Sequence, residues 1–253
     1  MKTLDKRLLT FCLAISVISI GQKNIANQQG AWLMYFGNHK LTEKFSLHSE
    51  YQWRRSDFFN SWQQSLMRIG LDYKFNKDNI VTAGYGWIES FAYGEQPIST
   101  FTNEHRIWQQ FINQSTSGRF NLNHRYRLEQ RFIENTSINA DGDRIVDGYR
   151  VRQRARYRFM VNIPLNNKKM EDKTLFVSLY EEVFLGFGAG IGKNIMDQNR
   201  LYGAIGWGLN SNFNVQLGYL NQIIVKGNGI DIERNHNLQV SCTYNIDFSK
   251  KKE

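Results

Sequence analysis

The sequence predicts an all-β fold, one transmembrane antiparallel up-and-down β-barrel of ten to twelve strands, and three observations predict it. An export signal opens the chain, no later apolar run reaches the length of a membrane helix, and the remainder alternates polar with apolar residues in stretch after stretch. Composition agrees, since 14% aromatic residues with only 2 Pro in 253 residues suit long strands that have one wet and one dry face. Length and composition alone would equally describe an ordinary soluble domain.

The signal has three parts: basic Lys2, Lys6 and Arg7, an apolar run from Leu8 to Ile20, and small Ser19 and Gly21 before Gln22. Cleavage is expected after Gly21, which divides the chain into a signal peptide, 1–21, and a barrel domain, 22–253. The run is shorter than the roughly 20 residues a membrane helix needs. Cys12 lies inside it behind bulky Phe11, which argues against a lipid anchor. Its removal leaves Cys242, so no internal disulfide and no thiolate metal cluster is expected. Export with no later spanning helix leaves a periplasmic protein, a secreted protein or a barrel in the outer membrane of a Gram-negative cell.

Alternation selects the barrel, because a wall in lipid places successive side chains in hydrocarbon and in a wet interior by turns. Leu238, Val240, Cys242, Tyr244, Ile246 and Phe248 share one face, with Asn237, Gln239, Ser241, Thr243, Asn245 and Asp247 on the other. Phe213, Val215, Leu217 and Tyr219 oppose Asn214, Gln216 and Gly218, and Val81, Ala83, Tyr85 and Trp87 oppose Thr82, Gly84 and Gly86. The most polarised stretch sets Tyr149, Val151, Ala155, Tyr157, Phe159 and Val161 against Arg150, Arg152, Arg154, Arg156 and Arg158.

The same pattern places strands near 31–38, 44–55, 62–75, 80–91, 101–113, 119–133, 147–163, 174–186, 198–209, 213–226 and 235–248. Short connections at 39–43, 76–79, 114–118 and 210–212 alternate with longer ones at 92–100, 134–146, 186–197 and 226–234, as in outer-membrane barrels. The count is odd, whereas bacterial single-chain barrels have even numbers of strands. Either 22–29 supplies an extra strand or 32–36 stands outside the wall. Trp32, Tyr73, Phe75, Phe132, Phe213 and Phe248 fall at strand ends, where aromatic girdles meet the membrane interfaces.

Several motifs stand out along this pattern: Glu104-His105-Arg106-Ile107-Trp108-Gln109-Gln110, His124-Arg125-Tyr126-Arg127-Leu128-Glu129-Gln130-Arg131-Phe132, Arg152-Gln153-Arg154-Ala155-Arg156-Tyr157, Asn199-Arg200-Leu201-Tyr202 and Gly218-Tyr219-Leu220-Asn221-Gln222. With them the chain resembles, across nearly all of its mature length, the family labelled domain of unknown function 2490. The resemblance implies an exported barrel and carries no substrate, reaction or catalytic residue.

The wet face holds the candidate ligand-binding residues: Arg106, Arg125, Arg127, Arg131, Arg150, Arg152, Arg154, Arg156 and Arg158, with Glu104 and Glu129 among them. Arg54 and Arg68 share that face, as do Glu50, Asp72 and Glu182. Hairpin pairing is expected to bring Glu104 to Arg127 and Glu129 to Arg152. Two readings are open. Arginines and carboxylates interlock to fill a narrow barrel, or the surplus arginines bind or pass a small anionic solute through fixed bidentate donors.

A net charge of +9 invites a nucleic-acid reading, but the arginines recur every second residue with apolar partners between them. A nucleic acid on that face would leave the other exposed to water. Outer-membrane lipid and lipopolysaccharide are the expected surroundings, and the aromatic last strand resembles the signal read by the barrel-assembly machinery.

An outer-leaflet lipid hydrolase or acyltransferase is the alternative. His105 and His124 are its candidate bases, on the lipid-facing parity of neighbouring strands and about three positions out of register. No serine adjoins either, so no catalytic residue is assigned. His48 faces the interior beside Glu50, no His or Cys spacing suggests a metal, and no cofactor is expected. The glycine-rich run 186–192 lacks the strand–turn–helix setting of a nucleotide loop and reads as an external loop.

Overall fold

The computed structural model describes residues 23–249; the expected signal, 1–21, lies outside them. The strands are β1 (Asn24–Lys40), β2 (Phe45–Ser56), β3 (Ser61–Lys74), β4 (Asn79–Ser90), β5 (Thr102–Ser117), β6 (Phe120–Ile138), β7 (Arg144–Pro164), β8 (Thr174–Phe187), β9 (Met196–Asn210), β10 (Phe213–Val225) and β11 (Asp231–Tyr244). Each pairs antiparallel with the next, and β1 closes on β11. A closed sheet leaves no strand edge unpaired, the condition for backbone in hydrocarbon.

The odd count is the true one, which corrects the even number expected and both devices for reaching it. Residues 24–30 and 32–36 belong to one strand, β1, in the wall. An odd number makes the first and last strands run the same way, so the seam is parallel, from Asn24↔Asp231 to Phe36↔Thr243. The barrel is therefore antiparallel except at one seam. The segment 24–30 escapes the alternation rule because its outward face carries Asn27 and Gln29 beside a single large apolar residue, Ile25.

Outward positions form an apolar belt that includes Met67, Ile69 and Leu71 on β3 and Leu217 and Tyr219 on β10, all about half exposed. Inward positions are buried, and the interior is divided. Trp32, Met34, Tyr202, Ala204 and Leu220 pack together on the β1, β9 and β10 side. Arginines and carboxylates fill the side made by β3 and β5 to β8.

Connection lengths only partly follow the expected alternation. One rim carries 41–44, 75–78, 118–119, 165–173 and 211–212, the other 57–60, 91–101, 139–143, 188–195 and 226–230. Much of the long loop expected at 134–146 is instead a hairpin that rises above the rim, with Ile138 paired to Arg144. The last strand ends at Tyr244, not Phe248. Residues 245–248 fold against the end of β1, where the backbone of Lys40 exchanges hydrogen bonds with Ile246 and Phe248.

Aromatic girdles are present with one correction: Trp32 points inward and is 1% exposed. At the long-loop rim Trp53, Trp62, Phe91 and Phe101 form a chain with centroids 5.1–6.0 Å apart. At the opposite rim Tyr73 meets Phe45 and Phe75 at 5.2 Å.

Candidate functional site

The interior is organised around Glu129, which has no solvent exposure. Its carboxylate accepts from Arg106 at 3.3 Å, Arg154 at 2.7 Å and Arg156 at 2.7 Å, and lies 3.6 Å from Arg68. Strand parity delivers these groups: Arg154 and Arg156 are neighbours on the inner face of β7, and Arg106 enters from β5. Around this centre Glu104 accepts from Nε and Nη2 of Arg131 at 2.8 Å, Glu182 binds Arg125 and Arg156, Glu50 binds Arg68 at 2.7 Å, and Asp197 binds Arg154 at 2.7 Å. A buried ion is costly unless paired and hydrogen-bonded, and here one carboxylate serves several guanidiniums.

Four inward arginines have no carboxylate within salt-bridge distance among the described residues: Arg54, Arg127, Arg158 and Arg200. Each lies against an aromatic face instead. Arg54 is 4.1 Å from the Trp32 ring, Arg127 4.7 Å from Trp108, Arg158 5.6 Å from Tyr180, and Arg200 4.8 Å from Phe184. Ring quadrupoles stabilise a cation without neutralising it. Neutral amides hold the heads, with Gln64 at 2.5 Å from Arg54 and Gln110 at 2.7 Å from Arg127. Each of the four keeps one buried N–H without an acceptor.

Above the Glu129 layer, towards the long-loop rim, is a cavity of about 170 Å³ whose walls include Trp32, Arg54, Arg200, Phe184, Lys226 and Glu233. The loop 91–101 roofs it. The Tyr93 hydroxyl donates to Glu233 at 2.7 Å, the Gln96 amide to the Asn24 carbonyl at 3.3 Å, and Lys226 to the Gln96 carbonyl at 3.2 Å. Burial, with the Glu233 carboxylate beside it, raises the Tyr93 phenol above its ordinary value, so it remains a donor. A wider vestibule of about 450 Å³ adjoins it at the rim, and Arg131 and Arg154 line both spaces.

Nine of the sequence candidates converge on this interior. Arg106, Arg154, Arg156 and Glu129 form its centre, Arg131 and Glu104 pair beside it, and Arg125, Arg127 and Arg158 lie towards the short-turn end. Arg152 stands half-buried at the vestibule. Arg150 is the exception: it is exposed above the rim and donates to the Glu134 carbonyl and the Asn135 side chain. The expected pairings are corrected too, because Glu104 binds Arg131 rather than Arg127, and Glu129 binds Arg154 and Arg156 rather than Arg152. Arg200, Lys226, Glu233 and Tyr93 were not foreseen, although Arg200 shares the inward parity of Tyr202 and Ala204.

His48 faces the interior as expected, 3.5 Å from Glu50 and edge-on to Trp108. His105 and His124 face outward, but His124 pairs with Asn113, so eight register positions, not three, separate them. That is about 26 Å along a strand at ~3.3 Å per residue. Each is bound to a tyrosine hydroxyl on a neighbouring strand, His105 to Tyr85 at 2.6 Å and His124 to Tyr157 at 2.9 Å. His236 and Tyr219 repeat the arrangement at 2.5 Å. Such pairs cover polar ring nitrogens on an outward wall. Among the described residues no three His, Cys, Asp or Glu side chains are placed to hold a metal ion.

Residues 29–247 match the family model described as protein of unknown function, DUF2490. Solved structures similar to the chain include the NanC porin, at 10% identity and a TM-score of 0.43, covering 78% of this chain and 84% of that one. The siderophore receptor PirA from Pseudomonas aeruginosa is similar at 13% identity and a TM-score of 0.27, covering 73% of this chain and 32% of that one. No curated protein matches the sequence.

Proposed function

The chain belongs to the DUF2490 family of proteins of unknown function, and from that premise we propose an outer-membrane barrel with a closed, arginine-rich lumen that retains a small anion rather than conducting freely. The outward apolar belt and its two aromatic rims support placement in a bilayer. The export signal expected at 1–21 supports the outer membrane, with lipopolysaccharide around the outer half and the barrel-assembly machinery as the inserting partner.

One observation carries the closed lumen: Glu129, with no solvent exposure, gathers guanidiniums from β3, β5 and β7. Side chains that meet from across the barrel leave no water column at that level. The anionic preference rests on the four arginines that no carboxylate neutralises.

Purified protein in planar bilayers tests the reading. The intact barrel is expected to carry no steady current, and a stable ohmic conductance would overturn the closed lumen. Appearance of the mature protein in the medium without detergent would overturn the membrane placement.

A further inference from the structure

Of the cations lining the roofed cavity, six are matched by carboxylates. Arg68 meets Glu50, Arg106 and Arg131 meet Glu104, Arg154 meets Asp197 and Glu129, Arg156 meets Glu182 and Glu129, and Lys226 meets Glu233. Those six carboxylates leave two cations over, Arg54 and Arg200. Both lie against the same ring, 4.1 and 5.3 Å from the Trp32 centroid, and both are more than nine-tenths buried. Their Nε–H groups are buried without an acceptor. Only neutral amides touch their heads, those of Gln64 and Gln52 on Arg54 and that of Gln198 on Arg200, at 3.3 Å. Neither head has a carboxylate of its own: Glu182, the register partner of Arg200, is already bound to Arg125 and Arg156. Two such guanidiniums at one buried place are costly, and a water molecule would satisfy the N–H groups while leaving both charges.

We propose that Arg54 and Arg200, mounted on Trp32 beneath the loop 91–101, form a binding site for a small soluble oxyanion carrying two negative charges, such as phosphate or a short dicarboxylate. The site rests on the closed-lumen reading, since the Glu129 layer is its floor. Its charge sets the valence of the ligand. Its volume, about 170 Å³, suits a small oxyanion such as phosphate or a four-carbon dicarboxylate. Guanidinium forks suit both oxyanions, because each offers two parallel donors to a pair of oxygens. The route in is the vestibule, where Arg131 and Arg154 face both spaces.

The test is calorimetric titration of the detergent-solubilised full barrel with sodium phosphate and with sodium succinate, at constant ionic strength held by chloride. At least one is expected to bind with a millimolar or tighter Kd. The double variant Arg54→Gln/Arg200→Gln should weaken that binding by about tenfold or more, the loss of a charge-assisted contact at each head. The charge-matched control Lys168→Gln/Lys169→Gln, exposed at the opposite rim, should bind as the parent does.

The double variant removes buried unmatched charge, so its unfolding midpoint should hold or rise. Arg200→Lys keeps the charge but lacks the fork and the Nε donor, and its expected severalfold loss gives a second reading should the double variant fold poorly. Binding of neither anion, or equal binding by the parent and Arg200→Lys, would overturn the site. A silent bilayer with no heat of binding rejects the site alone, whereas a steady current rejects the closed lumen beneath it.

Discussion

Arg68 on β3 and Glu129 on β6 lie 3.6 Å apart across the interior, three strands from one another around the wall. Contact at that separation requires side chains long enough to cross the lumen and a barrel narrow enough for them to meet. Arg68 also binds Glu50 on β2 at 2.7 Å, so the chain of charges runs from β2 to β8 through Glu129, Arg156 and Glu182. The network ties together strands that are not hydrogen-bonded neighbours.

Replacing Glu129 with Gln keeps the shape and removes the charge at the centre of that network. It leaves Arg106, Arg154 and Arg156 facing one another with less compensation, and breaking a buried pair on one side costs about 3–5 kcal/mol. Urea unfolding in micelles should show a loss of that order. A change below about 1 kcal/mol would mean that water already screens the centre and that the lumen is open.

The parallel seam is tested by a single substitution. Tyr35 on β1 lies opposite Cys242 on β11, so Tyr35→Cys places two thiols on one face of adjacent strands, within the Cα spacing of about 4.4–6.8 Å that a disulfide spans. Mild oxidation of the folded barrel should link 35 to 242 and retard unfolding on a gel. Leu33→Cys, two residues away, should link poorly. The reverse preference would show a different register at the closure.

Much of this fold was legible in the sequence because period-two alternation is a local property. Each of the eleven strands coincides with a stretch in which apolar and polar residues take turns, apart from residues 24–30 of β1. Register was less legible, since it depends on where a turn is made. Alternation predicts the β5–β6 connection at 114–118, but pairing runs on to Ser117↔Phe120. The reversal is made by Gly118 and Arg119, with Gly118 at φ +61°, which glycine adopts without a Cβ penalty. The later turn moves the partner of Glu104 from Arg127 towards Arg131. Aromatic support for Arg54 and Arg200 was not legible at all, because Trp32 and Phe184 come from distant strands and Trp32 imitates a girdle residue.

Close packing beneath the wall gives a prediction for Gly84. A Cβ there would sit 2.3 Å from the Ile69 carbonyl oxygen and 2.6 Å from the Trp108 ring. Trp108 is fully buried and supports Arg127, so it has nowhere to move. Gly84→Ala should cost about 1–3 kcal/mol by overpacking, read as a lower unfolding temperature in detergent. An unchanged midpoint would show that the ring can shift and that the interior is looser than its contacts imply.

The roof over the cavity should open locally when Tyr93 loses its hydroxyl. In the intact barrel that group donates to Glu233 at 2.7 Å, and Glu233 also pairs with Lys226. Tyr93→Phe removes a hydrogen bond to a charged acceptor, worth about 1.5–3 kcal/mol, so amide exchange across 92–100 should quicken about tenfold or more while the strand amides stay protected. The sign with pH follows from the raised phenol: the closed loop is at full strength below the ordinary tyrosine pKa of about 10 and weakens as pH rises beyond it, because ionisation places a second negative charge beside Glu233. Tyr93→Phe has no such alkaline transition. If parent and variant exchanged alike at pH 7 and at pH 11, the hydroxyl would not be holding the loop down.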